Sequence, residues 1–456
     1  MITRTERDIA LACLDFAREA GAQGARITLN KSIEDLIATL DGEVDKVTRC
    51  ADRSLSIALF VDGSYGSFSV NKMDPESLRD FIFKAAETVR MLAPDPCRVL
   101  PDPERCCKTA REGTEMDIYD PAREAVSPDE RREAALAAAV TPRCSGKALE
   151  PALSCGHEGM RLVSEEGEYS DSVFDTLVVD SQGLECRHTE TSFDYGVEVT
   201  VEDPEGNKYS DYWWTSSPRR SDFDASDCGA EAIRRACAQA GSSPAPSGKY
   251  NMVISRDMAS RLVTPLLNAL NGYSIQQGNS FLVGSEGKQL FCPGLGIMDE
   301  PWRKGEAGSK LFDGEGVATC EAPIIENGTV KRFFINSYMA GKLGMAPTVE
   351  DAIRPRVLPW PAPGLDADTL MRECGDGILV TDFNGGNCNM TTGDFSYGIS
   401  GQLFRDGKSV RPVSEMLITG NFLELWKHLL AAGSDYRPCA TKLVGSLAFS
   451  AVDFSG

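Results

Sequence analysis

Histidine and cysteine are the residue types of this chain with most scope for metal or nucleophilic chemistry. The histidines are His157, His188 and His428, and no two lie within thirty residues of one another. A helical HExxH zinc site needs two imidazoles one turn apart with a glutamate between them, so no helix here can supply one. His157-Glu158 begins such a motif, but Arg161 and Leu162 stand where it would close. His157 reads as part of a strand-like stretch, His188 as a solvated strand residue, and His428 as a packing or interface residue beside Trp426. The 15 cysteines form no CxxC pair, although Cys106 and Cys107 are adjacent. Scattered thiols of this kind read as small core hydrophobes in a reducing cytoplasm. A reactive thiol needs a basic neighbour or a helix N-terminus. Cys388 has the most suggestive setting, because it follows the glycine turn Asn384-Gly385-Gly386-Asn387, which can present backbone groups to a ligand. The nucleophile elbow GxSxG and the phosphate loop GxxxxGK[ST] are both absent.

The elements that must position these residues follow from local patterns. Thr3-x-x-Glu6 is a capping box, and Ile9, Cys13, Phe16, Ala17 and Ala20 make one helical face that Gly21 ends. Strand-like stretches follow, with hairpin signals at Asp41-Gly42 and Asp62-Gly63. Asp74-Pro75 opens a second helix whose stripe is Leu78, Phe81, Ile82, Ala85 and Val89. Residues 1–92 therefore read as an α+β unit. Residues 93–126, rich in proline, read as a linker or surface arm. Ser127-Pro128-Asp129-Glu130 caps another helix. Four strand-like segments then run over residues 159–201, with turns at Gly167, at Ser181-Gln182-Gly183 and at Asp203-Pro204-Glu205-Gly206. Tyr212, Trp213 and Trp214 follow as sheet-edge aromatics, core or interface by type. A helix over residues 226–240 closes a central unit, 127–240. GSSPAPSG, residues 241–248, is a linker. Residues 249–456 are glycine-rich with short strands, a helix near 258–270 and a late helix near 421–431. The fold class expected is α+β: N-terminal α/β units with antiparallel sheets, then a large β-rich C-terminal domain.

The chain has 456 residues, 42% hydrophobic and 25% charged, enough to bury a large core without cross-links. It carries 47 Lys plus Arg against 68 Asp plus Glu, a net charge of −21. That excess disfavours direct binding of nucleic acid or anionic lipid. No segment is long and apolar enough to span a membrane, and the first twenty residues do not read as a secretory signal, so a cytoplasmic location is expected.

The C-terminal half carries a resemblance. Residues 299–344 include Asp313-Gly314-Glu315-Gly316 and Ile325-Glu326-Asn327-Gly328, in the order found in a hallmark segment of the TldD/PmbA family. Residues 391–435 resemble a second long motif of that family, and residues 56–91 its strand–turn–strand–helix. The resemblance implies one of two kinds of subunit. TldD-type chains carry HExxxH on a helix and complete a zinc site with a C-terminal cysteine. PmbA/TldE-type chains lack the motif and pair with a TldD-type chain in a heterodimer that degrades or trims peptides; the family was earlier named a modulator of DNA gyrase.

The helix that resembles the metal-bearing one is residues 261–272. There the histidine, glutamate and histidine positions fall on Val263, Thr264 and Asn268, and Pro265 is expected to break or start a helix. Valine cannot ligate zinc, threonine is no general base, and an asparagine amide is a poor zinc ligand. Residues 252–400 contain no histidine, so a shift of register changes nothing. Cys439 lies near the place of the C-terminal cysteine without the glycine motif that accompanies it. The resemblance thus implies a metal-free TldE-like subunit with no catalytic residue and no cofactor of its own, zinc belonging to the TldD-type partner. Its expected partners are that subunit in a heterodimer, or itself in a homodimer, and a peptide. Asn384, Gly385, Gly386 and Asn387 are the peptide-binding candidates. Trp302, Trp360, Trp426 and residues 212–214 are the expected interface anchors. The alternatives are an independent peptidase or hydrolase, using a thiolate or carboxylates, and a non-enzymatic peptide-binding homodimer.

Overall fold

The computed structural model describes residues 1–140, 147–150 and 153–456. Helix α1 (Arg4–Glu19) starts at the expected capping box: the Glu6 amide donates to Thr3 Oγ1 at 3.2 Å and the Thr3 amide to Glu6 Oε2 at 2.8 Å. Helix α2 (Pro75–Arg90) is capped by Asp74 with proline in its first turn. Both bury their apolar stripes on strands β1 (Gly24–Leu40) and β2 (Glu43–Val61), with Leu14, Ile27, Leu55, Ile82 and Val89 in one cluster. Strand β3 (Ser64–Val70) completes the second hairpin. Asp41 and Gly42, then Asp62 and Gly63, all take positive φ, the geometry a tight hairpin between right-twisted strands requires.

The first sheet continues through β4 (Arg161–Asp180), β5 (Glu185–Glu202) and β6 (Lys208–Ser217), in the order β3-β2-β1-β4-β5-β6, antiparallel throughout. The β1–β4 ladder runs from Arg26 opposite Asp180 to Leu40 opposite Glu166, so residues before and after the 93–126 segment share one sheet. Residues 159–201 hold two long strands rather than four short ones. Gly167 is not a turn but a mid-strand residue: a Cβ there would lie 2.6 Å from Thr39 Oγ1 and 2.8 Å from Tyr195 Oη. The glycine answers a close approach of side chains across the sheet.

The 93–126 segment is packed against both halves of the molecule. The Cys107 amide donates to Gly316 O at 2.9 Å, the Arg187 amide to Ala110 O at 2.8 Å, and Cys106, Cys107 and Ala110 pack with Leu184, Cys186 and Phe312. Helices α3 (Ala122–Ala125) and α4 (Pro128–Ala137) follow, and α5 (Cys228–Cys237) packs on β5 and β6.

Residues 241–247 carry neither helix nor strand. Beyond them come β7 (Gly248–Ile254), α6 (Arg256–Ala269) and α7 (Gly272–Gln276). A small sheet has the order β10-β9-β8-β11: β8 (Ile297–Asp299), β9 (Ala322–Glu326), β10 (Thr329–Val330), β11 (Pro355–Val357). Helix α8 (Ser337–Leu343) lies between β10 and β11 in sequence, and α9 (Ala367–Cys374) follows β11. Strands β12 (Gly377–Cys388), β13 (Asp394–Arg405), β14 (Lys408–Asn421) and β16 (Leu447–Ser455) join β7 in a sheet that closes through a β14–β16 pairing, and β15 (Leu429–Ala432) pairs with β16. The β-rich C-terminal part is thus a closed barrel with a satellite sheet. The late helix is only α10 (Phe422–Leu425) plus one 3-10 turn before β15. Trp426 is fully buried, so it is core and not an interface anchor; Trp302 is 47% exposed.

The hallmark acidic turn is structural. Buried Asp313 accepts from the amides of Glu315, Val317 and Glu350, and buried Glu315 accepts from the Ser337 amide and hydroxyl at 2.8 Å. Among the described residues no helix is long and apolar enough to cross a membrane.

Candidate functional site

Helix α6 buries Met258, Ala259, Leu262, Val263, Leu266 and Leu267 in the barrel core. Its opposite stripe is Asp257, Arg261, Thr264 and Asn268, spaced i, i+4, i+7 and i+11. The helix runs through Pro265 instead of breaking there. One proline removes a single backbone donor, and its ring is buried with the apolar stripe that holds the helix in place. Of the three degenerate metal positions, Val263 points into the core at 1% exposure and Asn268 is exposed. Thr264 Oγ1 donates to Ser260 O at 2.9 Å and accepts from Lys442 Nζ at 3.1 Å. An ammonium therefore sits at the position where the motif would place a carboxylate. These residues do not fit zinc: no imidazole or thiolate is at hand, and the nearest charge is positive. Among the described residues no group of three or more His, Cys, Asp or Glu side chains is placed to hold a metal ion.

Lys442 belongs to the loop between β15 and β16, which also frames the start of the helix. Arg437 from this loop stacks over Trp213 and Trp214 at 4.2 and 4.3 Å, and Arg235 of α5 lies 5.1 Å from Trp213. The edge-strand aromatics thus tie β6 to the C-terminal loop. Asp257 lies 3.4 Å from Arg235 Nη1 and 4.0 Å from the Nε atoms of Arg256 and Arg437. Its Oδ1 is buried without a hydrogen bond, and burial lifts its carboxyl above the usual range against the pull of the arginines. A cavity of about 840 Å³ opens beside it, lined by Asp211, Trp213, Arg235, Asp257, Thr381 and Gln402 among others. Farther along, burial raises the pKa of Tyr212, Asp382 and Tyr397, and the charge of exposed Arg261 pulls against it at each.

Asn384, Gly385, Gly386 and Asn387 form an exposed bulge within β12 rather than a turn between strands. The register slips between Phe383 and Gly386, both glycines have positive φ, and a Cβ on Gly386 would lie 2.1 Å from Ser396 O. β12 pairs with β7 only over Gly377–Val380. From residue 381 on, that side of the strand has no strand partner among the described residues. Helix α6 packs against β12, so the free edge and the helix stripe belong to one region, though no hydrogen bond joins the bulge residues to Val263, Thr264 or Asn268.

Of the histidines, His157 lies between two turns before β4 and lines the cavity of about 840 Å³, and His428 is exposed. His188 is buried at 8% exposure, not solvated: the arm covers it, Phe312 meets it edge-on and its Nε2 lies 3.3 Å from Glu190. Burial and Asp394 push the Cys388 thiol up, the wrong direction for a nucleophile. Cys107 is instead drawn down to about 5 by the Cys186 thiol, with Thr109 and backbone amides adding to it against burial. Cys186 Sγ also donates to Cys107 O at 3.1 Å. Sequence gave no sign of this pair beyond the Cys106-Cys107 doublet. Arg261, Lys442 and Asp257 were likewise missed, because nothing in a lone basic or acidic residue marks its partners.

Comparison with known proteins agrees across the chain. Residues 247–456 match the PmbA/TldA metallopeptidase C-terminal domain and residues 123–240 the corresponding central domain. The chain is 27% identical to metalloprotease PmbA of Escherichia coli O157:H7 over 439 residues, 95% of this chain and 93% of that one. A Bacteroides thetaiotaomicron protein, whose crystal structure is described as a modulator of DNA gyrase, superposes with a TM-score of 0.92 at 34% identity over 100% of both chains. TldE of Thermococcus kodakarensis shares the fold, with a TM-score of 0.80 at 18% identity over 98% of this chain and 100% of that one.

Proposed function

Because the chain belongs to the PmbA/TldD metallopeptidase family, we propose that it is the metal-free, TldE-like subunit of a two-chain metallopeptidase, binding peptide and presenting it to the zinc of a TldD-type partner. The observation that carries this reading is the Lys442 ammonium on Thr264, at the motif position that elsewhere holds a glutamate. Zinc hydrolysis requires three protein ligands with one position open and a carboxylate to take a proton from the bound water. Val263, Thr264 and Asn268 supply none of these. The unpaired stretch of β12 supports a peptide-binding role, since an extended peptide can add as a further strand through its backbone. The bulge residues Asn384–Asn387 would then lie along the bound chain.

Elemental analysis and a peptidase assay test it together. The purified chain should hold no stoichiometric zinc and cleave no peptide alone, and cleavage should appear when an HExxxH-bearing partner is added. About one zinc per chain, with chelator-sensitive cleavage by this chain alone, would sink the proposal.

A further inference from the structure

Resting on the peptide-binding reading above, we propose that Arg261 and Lys442 form a subsite on the outer face of α6 that takes a carboxylate of the bound peptide. Lys442 is half-buried, and its one polar partner among the described residues is the neutral hydroxyl of Thr264. A partly desolvated ammonium without a counter-charge is uncommon, because losing water costs free energy that an opposite charge normally offsets. Acidic residues outnumber basic ones by 68 to 47, and several enclosed cations have carboxylate partners: Arg187 with Asp175, Arg235 with Asp211, Arg354 with Glu306. Among the described residues neither Lys442 nor Arg261 makes an ion pair.

The two cations converge on one patch. Arg261 and Thr264 are three residues apart on one helical face, about 5–6 Å between Cβ atoms, and Lys442 reaches that face at Thr264. Arg261 supplies a planar fork suited to two carboxylate oxygens, Lys442 a point charge, and exposed Asn268 an amide donor one turn on. Asp382 acts on Arg261 through charge without forming an ion pair with it among the described residues. Asp382, in the unpaired stretch of β12, lies within charge range of Arg261, so a peptide held on that edge by its backbone can deliver a carboxylate to the pair. That carboxylate is either the peptide's C-terminus or an aspartate or glutamate side chain.

The test uses the full chain and fluorescein-labelled hexapeptide pools, read by fluorescence anisotropy: free acids, C-terminal amides, and amides carrying an internal Glu or Gln. Free acids should bind roughly tenfold tighter than amides, as one charge-assisted contact gives. Lys442→Met and Arg261→Met should each close that gap, and Lys442→Arg should preserve it. A gap between the Glu and Gln amides that the same variants close assigns the subsite to a side chain and equally supports it. Equal affinity of all pools overturns the subsite while leaving peptide binding intact. No binding by any pool overturns the peptide-binding reading and the subsite with it. Thermal melts check that the variants fold, and Arg261→Met, at an exposed position, carries the test if Lys442→Met does not.

Discussion

The charges between α4 and the first sheet and those along α6 make an instructive pair. In the first group every member is buried and meets its opposite: Arg131 grips Asp171 with two bonds of 2.6 and 2.9 Å, Arg123 reaches Asp35 at 2.7 Å and lies 2.8 Å from Asp171, and Tyr169 donates to Asp171 at 3.2 Å. In the second, Asp257 keeps a buried oxygen with no hydrogen bond, and Lys442 rests on a hydroxyl. The first cluster is closed and pins an arm helix to a sheet. In the second, Asp257 lines the large cavity with its pairing incomplete. A titratable group perturbed by burial in a cleft is a marker of function.

The sharpest way to break the comparison is Asp171→Ala. It removes the carboxylate that two buried guanidinium groups share, leaving both to Asp35, and should cost about 3–5 kcal/mol of stability, read from the urea midpoint. A loss under about 1 kcal/mol would show that the closed cluster is not structural.

A smaller effect, with opposite sign in two places, comes from pH. Burial raises the Glu6 pKa, but the Thr3 amide, Arg53 and Lys31 outweigh it and bring the carboxyl from 4.5 down to about 2. Its folded value is depressed, so its stabilisation is present above pH 4.5 and is lost as pH falls toward about 2. Asp257 is displaced the other way, chiefly by burial. Its contribution is present below its ordinary value of 3.8 and is lost as pH rises through its folded value. Stability measured against pH should therefore show a shallower acid limb in Glu6→Gln, whereas Asp257→Asn should lessen a decline on the way up from acid. Limbs of the same sign would contradict the contrast between closed and open sites.

The smallest effect is expected from Lys442→Met. If that ammonium serves a ligand, thermal stability should stay within about 0.5 kcal/mol of the parent, as for an ordinary surface change. A drop of several kcal/mol would place Lys442 among the structural charges.

Much of the local architecture was legible. Capping boxes at Thr3 and Ser127, the Asp74-Pro75 start and the Asp-Gly hairpins are short-range signals, and each is where its pattern places it. The glycine bulge at 384–387 and the turn assigned to Gly167 were misread for a common reason. Glycine marks a demand for space or positive φ, and sequence does not say whether a turn, a bulge or a neighbouring side chain makes that demand.

By itself the sequence determined the α+β class and the lack of any histidine on α6, because residue type at a position does not depend on how the chain folds. Only the tertiary structure decided what surrounds those positions. Strand β1 finds β4 across the whole 93–126 segment, Cys186 finds Cys107 79 residues away, and Lys442 finds Thr264 178 residues away. Periodicity and caps report on neighbours a few residues apart, since backbone geometry fixes those distances directly. Contacts between distant segments depend on how buried faces pack, so the charge that replaces the carboxylate on α6 could be found only in three dimensions.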